Sequence, residues 1–349
     1  MEIGKYCLHQ EVIEEEILSR LPVKSLLRFR CVSKTWLSLI GSKRFIKAHH
    51  QNSIKNPCFP HQRLITLKNT RDRPEECSLQ SLLSERPISR DSTDDLLMTT
   101  LLPFRIWGCY NGLFCVLEKS SKLPFVVEEK PRKIYLWNPS TRSSKKLPEI
   151  SGPGFAKNYG FGWVESSDEY KVFVSVVDRN SKVGEVYSSK TKSWKTIELR
   201  ADLVECCGDG VFAGGKLYWK RNGYEEYIIF LDLKSEEFGR IEIPFQQGWR
   251  SRSCLVGVVG GCLCVTYYNH GRPVQLWVMK ESWKKVATLA HLVQLLLPLV
   301  VAQNREILVN CGSTLLVYDR GDNAFRSTKF CFRYRTRVYV ESLISPEDV

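Results

Sequence analysis

Residues 184–199 read GEVYSSKTKSWKTIEL, which is a strand-like apolar stretch, a polar turn and a second strand-like stretch. Four further segments repeat this pattern: IYLWNPSTRSSKKLP (134–148), IIFLDLKSEEFGRIEIP (228–244), VQLWVMKESWKKVATL (274–289) and LLVYDRGDNAFRSTKF (315–330). Aligned on one strand position, successive copies are separated by 50, 44, 46 and 41 residues. Upstream of most copies lies another strand with a glycine turn, as in VFAGGKLYWK. A four-stranded unit that recurs at such intervals predicts the blades of a β-propeller.

The number of blades follows from the chain on either side of these five copies. Residues 50–103 could supply strands of a sixth blade, and RVYVESLISP (337–346) could close the ring against them. The sequence therefore predicts about six blades. An aromatic residue follows the turn in four of the copies, and we expect these side chains to pack between neighbouring blades. They are Trp194, Phe238, Trp283 and Phe325.

A helical period governs residues 17–40, which read ILSRLPVKSLLRFRCVSKTWLSLI. Ile17 and Leu21 lie four residues apart on one apolar stripe, so a first helix is expected to end before Pro22. Pro22 suits the first turn of a second helix, and Ser33 suits the N-cap of a third. Three such short helices are not expected to bury all their large apolar side chains among themselves. The remaining surface is expected to bind a partner or, alternatively, to pack on the rest of the chain.

The net charge of +13 is concentrated near these helices. Residues 17–71 carry twelve lysines and arginines and no acidic residue, whereas residues 1–16 carry a net charge of −4. An acidic partner is therefore expected there, either a protein or a nucleic acid. Neither a secretory leader nor a membrane-spanning stretch is expected. Thirteen cysteines scattered through apolar stretches are typical of buried free thiols in a reducing compartment, which predicts a protein of the cytoplasm or nucleus.

Several motifs are similar to those of one protein family. LSRLPVKSLLRFRCVSKTWLSLI (18–40) closely resembles the F-box of plant F-box proteins. The stretches CYNGLFCV, LWNPSTR, EVYSSKTKSW and VMKESWKKV resemble the F-box-associated, kelch-like domain of the same proteins. The resemblance implies an α+β multidomain chain, with a three-helix F-box at 5–47 and an all-β kelch-like β-propeller at 104–349. Residues 48–103 would form a linker and the first propeller strands.

In that family the F-box binds a Skp-type adaptor, which joins it to a cullin–RING ubiquitin ligase, while the second domain binds a target protein. By resemblance, this chain is expected to be the substrate-recognition subunit of an SCF-type ligase, with no catalytic activity of its own. The resemblance assigns adaptor binding to Leu21, Pro22, Leu26, Leu27, Arg30, Cys31, Val32 and Trp36. Two alternatives stay open, namely a propeller scaffold that has lost ligase docking and, less favoured, a propeller enzyme.

The stretch LHQEVIEEEIL (8–18) departs from the family pattern. His9 stands where proline is expected, and Glu16 is one residue more than the usual spacing contains. An added residue rotates one part of a helix by roughly 100° relative to the other. The helix could absorb Glu16 as a single-turn π-bulge, or its first turn could fray. Either outcome bears on how well the adaptor binds.

Two motifs could indicate bound groups. GVFAGGK (210–216) has the spacing of a phosphate-binding loop, but Leu217 replaces the hydroxyl residue that would hold Mg²⁺. A strand also follows where a helix is required, so a glycine β-turn is the favoured interpretation. His49, His50, Cys58 and His61 lie close in sequence, but no zinc-finger spacing accompanies them. We therefore expect neither a metal nor a cofactor.

One further stretch could indicate a nucleic-acid partner. KFCFRYRTRV (329–338) alternates aromatic and basic residues, as nucleic-acid platforms do. The favoured interpretation is a single strand with Phe330, Phe332 and Tyr334 on one face and arginines in solvent. Nucleic-acid binding is therefore disfavoured. Because no hydrolase motif and no arguable pair of acids is present, catalytic residues are not expected.

Overall fold

The fold consists of a small helical unit followed by a six-bladed β-propeller. The computed structural model describes residues 12–55, 61–67, 75–83, 91–92, 104–118, 133–150, 154–178, 181–206, 208–221, 227–244, 254–269, 272–289, 296–302, 306–312, 314–331 and 334–349. Among the helices in these ranges, none is long and apolar enough to cross a membrane.

The helical unit begins with a π-turn and a 3₁₀ turn and continues with three α-helices. The bounds are Ile13–Ile17 for a π-turn, Leu18–Arg20 for a 3₁₀ turn, Val23–Phe29 for α1, Lys34–Gly41 for α2 and Lys43–Lys55 for α3. Pro22 stands at the N-terminal boundary of α1. Ser33 caps α2, because its side-chain oxygen accepts a hydrogen bond from the backbone N–H of Trp36 at 3.1 Å. The helix starts expected at Pro22 and Ser33 are therefore confirmed.

The π-turn shows how the chain accommodates its additional residue. The backbone N–H of Leu18 donates to the carbonyl oxygens of Ile13 and Glu14. The bond to Ile13 spans five residues instead of the usual four, so one residue is absorbed without shifting the helix that follows. Of the two outcomes left open by the sequence, the π-bulge around Glu16 is confirmed. His9 lies outside the described residues.

The propeller blades are antiparallel sheets, numbered here from the first complete blade. In chain order, β1 (Gln62–Leu67), β2 (Glu75–Ser78) and β3 (Asp91–Ser92) belong to blade 6, with a short helix α4 (Leu79–Leu83) after β2. Blade 1 holds β4 (Phe104–Tyr110), β5 (Leu113–Glu118), β6 (Ile134–Asn138) and β7 (Ser143–Lys146). Blade 2 holds β8 (Phe155–Val164), β9 (Glu169–Val177), β10 (Lys182–Ser188), β11 (Ser193–Glu198) and the added β12 (Gly208–Asp209).

The remaining blades have the same order from the axis outward. Blade 3 holds β13 (Val211–Ala213), β14 (Lys216–Lys220), β15 (Tyr227–Asp232) and β16 (Phe238–Glu242). Blade 4 holds β17 (Cys254–Val259), β18 (Cys262–Asn269), β19 (Arg272–Met279) and β20 (Trp283–Leu289). Blade 5 holds β21 (Leu296–Val301), β22 (Glu306–Cys311), β23 (Thr314–Asp319) and β24 (Ala324–Cys331). The five hairpins that the sequence repeats become the two outer strands of blades 1 to 5.

The ring closes where the last strand returns to the first. Strand β25 (Tyr334–Val340) pairs with β1 in antiparallel register, for example Leu64 opposite Val338. This pairing confirms the sixth blade and its closure by the end of the chain. The prediction of a single strand at 329–338 is wrong, because β24 and β25 belong to different blades and the chain must change sheet between them. Phe332 and the side chains of Phe330 and Tyr334 lie outside the described residues.

Aromatic side chains join neighbouring blades as the sequence predicts. Trp194 Nε1 donates to the carbonyl oxygen of Pro148 in the preceding blade connection at 2.7 Å. Trp283 Nε1 donates likewise to a carbonyl oxygen of blade 3 at 2.9 Å. Phe238 and Phe325 pack against apolar clusters shared with the preceding blade. Blades 2 to 5 are therefore each held to the preceding blade by the aromatic residue that follows the outer turn.

Glycines allow tight turns and close approaches in this ring. Gly214 and Gly215, between β13 and β14, have φ angles of +54° and +78°, which glycine adopts without strain. The interpretation of GVFAGGK as a hairpin turn is thus confirmed. At Gly162 in β8, an added Cβ would lie 2.3 Å from the ring of Phe212 in β13. The absence of a side chain there lets the innermost strands of blades 2 and 3 pack together.

Candidate functional site

The helical unit has an apolar core that the end of the chain completes. The buried side chains of this core are Leu18, Val23, Leu26, Ile40, Phe45 and Leu343. Leu26 is 0% exposed and Leu343 is 2% exposed. The helices therefore do not complete this core by themselves, and at Leu26 the alternative left open by the sequence applies, because the same buried core includes Leu343 from the far end of the chain. Leu26 supports the helices and does not present its side chain to solvent.

The other predicted docking residues lie on the outside of the same unit. Cys31 is exposed, and Val32 is 63% exposed in the connection between α1 and α2. Half-buried positions are Leu21, Pro22, Leu27, Arg30 and Trp36. We call Cys31, Val32, Trp36 and Leu37 the exposed corner. The structure thus brings seven of the eight predicted residues to or near the surface, while their contact with an adaptor stays a prediction.

Leu37 was not predicted from the sequence, although its side chain is 53% exposed. The signal was present in α2, where four of the seven residues from Lys34 to Ile40 are large and apolar. One buried stripe of a helix that short cannot hold all four. An apolar residue beyond the capacity of the stripe must therefore lie at the surface, as Leu37 does.

Local hydrogen bonds hold the exposed corner in shape. The N–H groups of Cys31 and Val32 donate to the carbonyl oxygens of Arg28 and Phe29 at 3.1 and 3.0 Å. These bonds tighten the end of α1 into short turns. The rings of Phe29 and Trp36 pack at a centroid distance of 5.4 Å and tie α1 to α2. The apolar side chains of the corner are therefore displayed on a fixed backbone.

The surroundings of the corner are positively charged. Lys24, Arg28 and Lys34 are exposed on α1 and at the start of α2, and neither helix contains an acidic residue. Arg20 pairs with Glu16 across one turn, but both side chains are largely exposed, so this ion pair is weak. A basic rim around an apolar centre favours association with an acidic protein surface.

Three histidines lie where the helices meet the propeller. His49 Nε2 hydrogen bonds to the carbonyl oxygen of Leu21 at 2.8 Å, and His61 Nε2 lies 3.3 Å from the carbonyl oxygen of Arg20. His50 Nε2 hydrogen bonds to the side-chain oxygen of Asn111, in the turn between β4 and β5, at 3.0 Å. All three rings are buried. His50 thus joins α3 to blade 1, His61 joins the segment before β1 to the helical unit, and His49 holds α3 against the chain at Leu21.

These contacts explain the histidines without a metal ion. No group of three or more potential metal ligands occurs among the residues that the structure describes, and Cys58 lies outside them. Burial, which disfavours the charged form, lowers the pKa of His49 and of His50 below the usual histidine range. The rings of His49 and His50 therefore act as neutral hydrogen-bonding groups at neutral pH.

Comparison with known protein families assigns both parts of the chain. Residues 11–48 match the F-box domain, and residues 104–345 match the F-box associated beta propeller domain. The chain belongs to the F-box proteins with an F-box-associated β-propeller. The fold class and the resemblance predicted from the sequence are therefore confirmed. The helical unit is the F-box, a domain that implies binding to a Skp-type adaptor.

Plant F-box proteins match this chain over most of its length. An F-box/kelch-repeat protein of Arabidopsis thaliana is 28% identical, and the match covers 96% of this chain and 95% of that protein. F-box protein CPR1 of the same plant is also 28% identical, with 95% of this chain and 87% of the relative covered. Both matches therefore extend over the F-box and the propeller of this chain.

A cavity of about 1100 Å³ runs along the axis of the propeller. The innermost strands of all six blades line it, and its wall is largely apolar near Tyr110, Trp163 and Phe212. In the lining of this cavity, the nearest atoms of the Asp209 carboxylate lie 3.4 Å from the guanidinium of Arg105 and 3.6 Å from that of Arg337. The cavity thus combines a largely apolar wall with a carboxylate that is paired with two guanidinium groups.

Proposed function

We propose that this chain is a substrate-recognition subunit of an SCF-type cullin–RING ubiquitin ligase. The observation that carries this proposal is the exposed corner of the F-box, with Val32 and Leu37 in solvent on a fixed backbone and lysines and arginines around it. Apolar anchors at the centre of an interface supply affinity, and a charged rim raises the association rate. The partner is a Skp-type adaptor with an acidic surface.

The propeller would bind the target protein. The F-box contacts the turns that follow β4 and β8, since His50 reaches Asn111 and Lys47 lies 3.9 Å from Asp168. The opposite face, where the blades connect to each other, is left for a target. In this role the chain carries out no bond chemistry and contributes proximity between the target and a conjugating enzyme recruited by other subunits. Such a role places the protein in the cytoplasm or nucleus.

The proposal is tested by binding to a purified Skp-type adaptor and by co-purification with a cullin. Val32→Asp would place a charge at the centre of the apolar interface, and we expect the dissociation constant to rise by at least tenfold, about 1.4 kcal/mol. The matched control is Val301→Asp, because Val301 is also an exposed valine, 36% exposed, but lies in the propeller. Thermal unfolding of both variants should match wild type.

Each outcome separates the alternatives. If wild type does not bind the adaptor, the F-box of this chain has lost ligase docking and a scaffold role replaces the proposal. If Val32→Asp binds as wild type does, the docking surface lies elsewhere on the F-box. Tight binding of duplex DNA at physiological salt, with an affinity that falls steeply as the salt concentration rises, would instead indicate that the basic helices neutralise phosphates.

A further inference from the structure

The last residues of the chain connect the closure of the propeller to the core of the F-box. Strand β25 closes the ring up to Val340, and the next four residues, Glu341 to Ile344, form what we call the C-terminal strap. Leu343 of the strap is 2% exposed and packs within the apolar core of the F-box. The F-box is near one end of the sequence and its core is completed by the other.

Backbone hydrogen bonds hold the strap in place. The side-chain amide of Asn138, at the end of β6, donates to the carbonyl oxygens of Ser342 and Ile344 at 3.0 and 2.7 Å. The Asn138 side chain is fully buried, and its own oxygen accepts from the N–H of Ser140 at 2.9 Å. The N–H of Glu341 donates to the carbonyl oxygen of His61 at 2.9 Å. The strap is therefore hydrogen bonded both to blade 1 and to the segment before β1.

The packing around the strap is also tight. An added Cβ at Gly112, in the turn between β4 and β5, would lie 2.4 Å from the hydroxyl oxygen of Ser342. Ser342 is itself 0% exposed. The strap is thus a buried part of the interface, and the position of Leu343 is fixed by its neighbours on both sides.

We propose that Leu343 and Asn138 are positioning residues for adaptor binding, so that the F-box adopts its docking conformation only when the propeller ring is closed. The inference rests on the proposed function. Leu343 touches the core that holds α1 and α2 together, and those helices display the exposed corner. When only a fraction of molecules is competent to bind, the apparent dissociation constant rises by the inverse of that fraction. Loss of the strap contacts lowers that fraction although no docking residue is altered.

The test compares four full-length variants with wild type. Leu343→Ala removes the side chain from the F-box core, and Leu343→Met keeps most of its volume and should restore binding. Asn138→Asp keeps the oxygen that accepts from Ser140 but turns a carboxylate oxygen towards two carbonyl groups, so it should release the strap with little change in volume. The control is Leu276→Ala, because Leu276 is equally buried but lies in blade 4.

Two readouts are measured on each variant, namely the dissociation constant for a Skp-type adaptor and the hydrogen exchange of α1 and α2 without adaptor. Leu343→Ala and Asn138→Asp are expected to raise the dissociation constant at least tenfold and to speed exchange in both helices. Leu343→Met should stay near wild type. Leu276→Ala should lower the unfolding temperature and leave both readouts within about twofold of wild type, within the additivity seen for distant sites.

The result that would overturn the proposal is wild-type exchange and wild-type affinity in Leu343→Ala and Asn138→Asp. Equal loss of affinity in Leu276→Ala would also overturn it, because general destabilisation would then be the cause. If wild type fails to bind any adaptor, the proposed function fails, but hydrogen exchange still shows whether the strap orders α1 and α2. Should Leu343→Ala not fold, Asn138→Asp and Leu343→Met carry the comparison.

Discussion

Deletion of Glu16 is the sharpest test of how the F-box begins. In the π-turn, the N–H of Leu18 bonds to the carbonyl oxygen of Ile13, five residues earlier. Ile13 packs against the F-box core, and Leu18 is part of it. After the deletion the two residues would be four apart, which is the ordinary spacing of an α-helix. The deletion should therefore convert a π-turn into an α-turn and leave both side chains in place.

The expected change in stability and in adaptor affinity is small, because deletion of Glu16 removes few favourable contacts. The ion pair between Glu16 and Arg20 disappears, but the two side chains are 59% and 57% exposed, so it contributes at most about 0.5 kcal/mol. The π-turn itself is replaced by the more common geometry. We expect the free energy of unfolding to change by less than about 0.5 kcal/mol, and the dissociation constant for the adaptor by less than about twofold.

The matched control is deletion of Lys24, an exposed residue of α1. No π-turn is present there, so the deletion would rotate Val23 by roughly 100° away from Leu26. Misplacing a fully buried residue should cost about 2–5 kcal/mol of stability. Thermal unfolding and titration calorimetry of wild type and both deletions give the comparison. A change of more than tenfold in adaptor affinity on deletion of Glu16, in either direction, would refute the assignment of Glu16 as the absorbed residue.

Three further predictions concern the stability of the folded chain. Leu26→Ala should lower the free energy of unfolding by about 2–5 kcal/mol in denaturant titration, and a neutral result would contradict its burial. Gly215→Ala should lower the free energy of unfolding by about 1–2 kcal/mol, because the φ angle of Gly215 is +78°. Gly41→Ala should raise the free energy of unfolding by about 1 kcal/mol, because Gly41 lies in α2 with open space around it. Because burial lowers the pKa of His49 and His50, the stability that these two residues contribute should be constant above about pH 7.5 and fall below about pH 6.5, where the unfolded chain binds more protons than the folded chain. Unfolding of His50→Gln across this range should show a smaller fall than wild type.

The propeller could be predicted from the sequence because its repeats are local. Each hairpin in the outer half of a blade brings together residues a few positions apart, so its strands and turn are visible in one short stretch. The closure of the ring was also predictable, since five repeats left an unpaired strand at each end. What failed was the stretch 329–338, where aromatic and basic residues alternate across a change of sheet. Alternation shows strand conformation but does not show which sheet receives the strand.

The burial of Leu26 could not be predicted, because the core around it is completed by a residue far away in the sequence. Leu343, which belongs to the same buried core, lies more than 300 residues away, and nothing in the sequence near Leu343 marks it as part of a helical core. Helical periodicity identified Leu26 as apolar and on one face, which is as far as a local pattern can go. The prediction that such a residue needs a partner was sound, but the partner belongs to the same chain.

The contacts between the F-box and the propeller differ in how strongly they fix the orientation of the two domains. The ion pair between Lys47 and Asp168 spans 3.9 Å between largely exposed side chains, so salt screens it and it adds little. Leu343 and the ring of His50 are buried, and their contacts persist at any ionic strength. The angle between the exposed corner and the axis of the propeller is therefore set by buried contacts. In the proposed function, an adaptor on the corner and a target on the propeller would thus be held in one relative orientation.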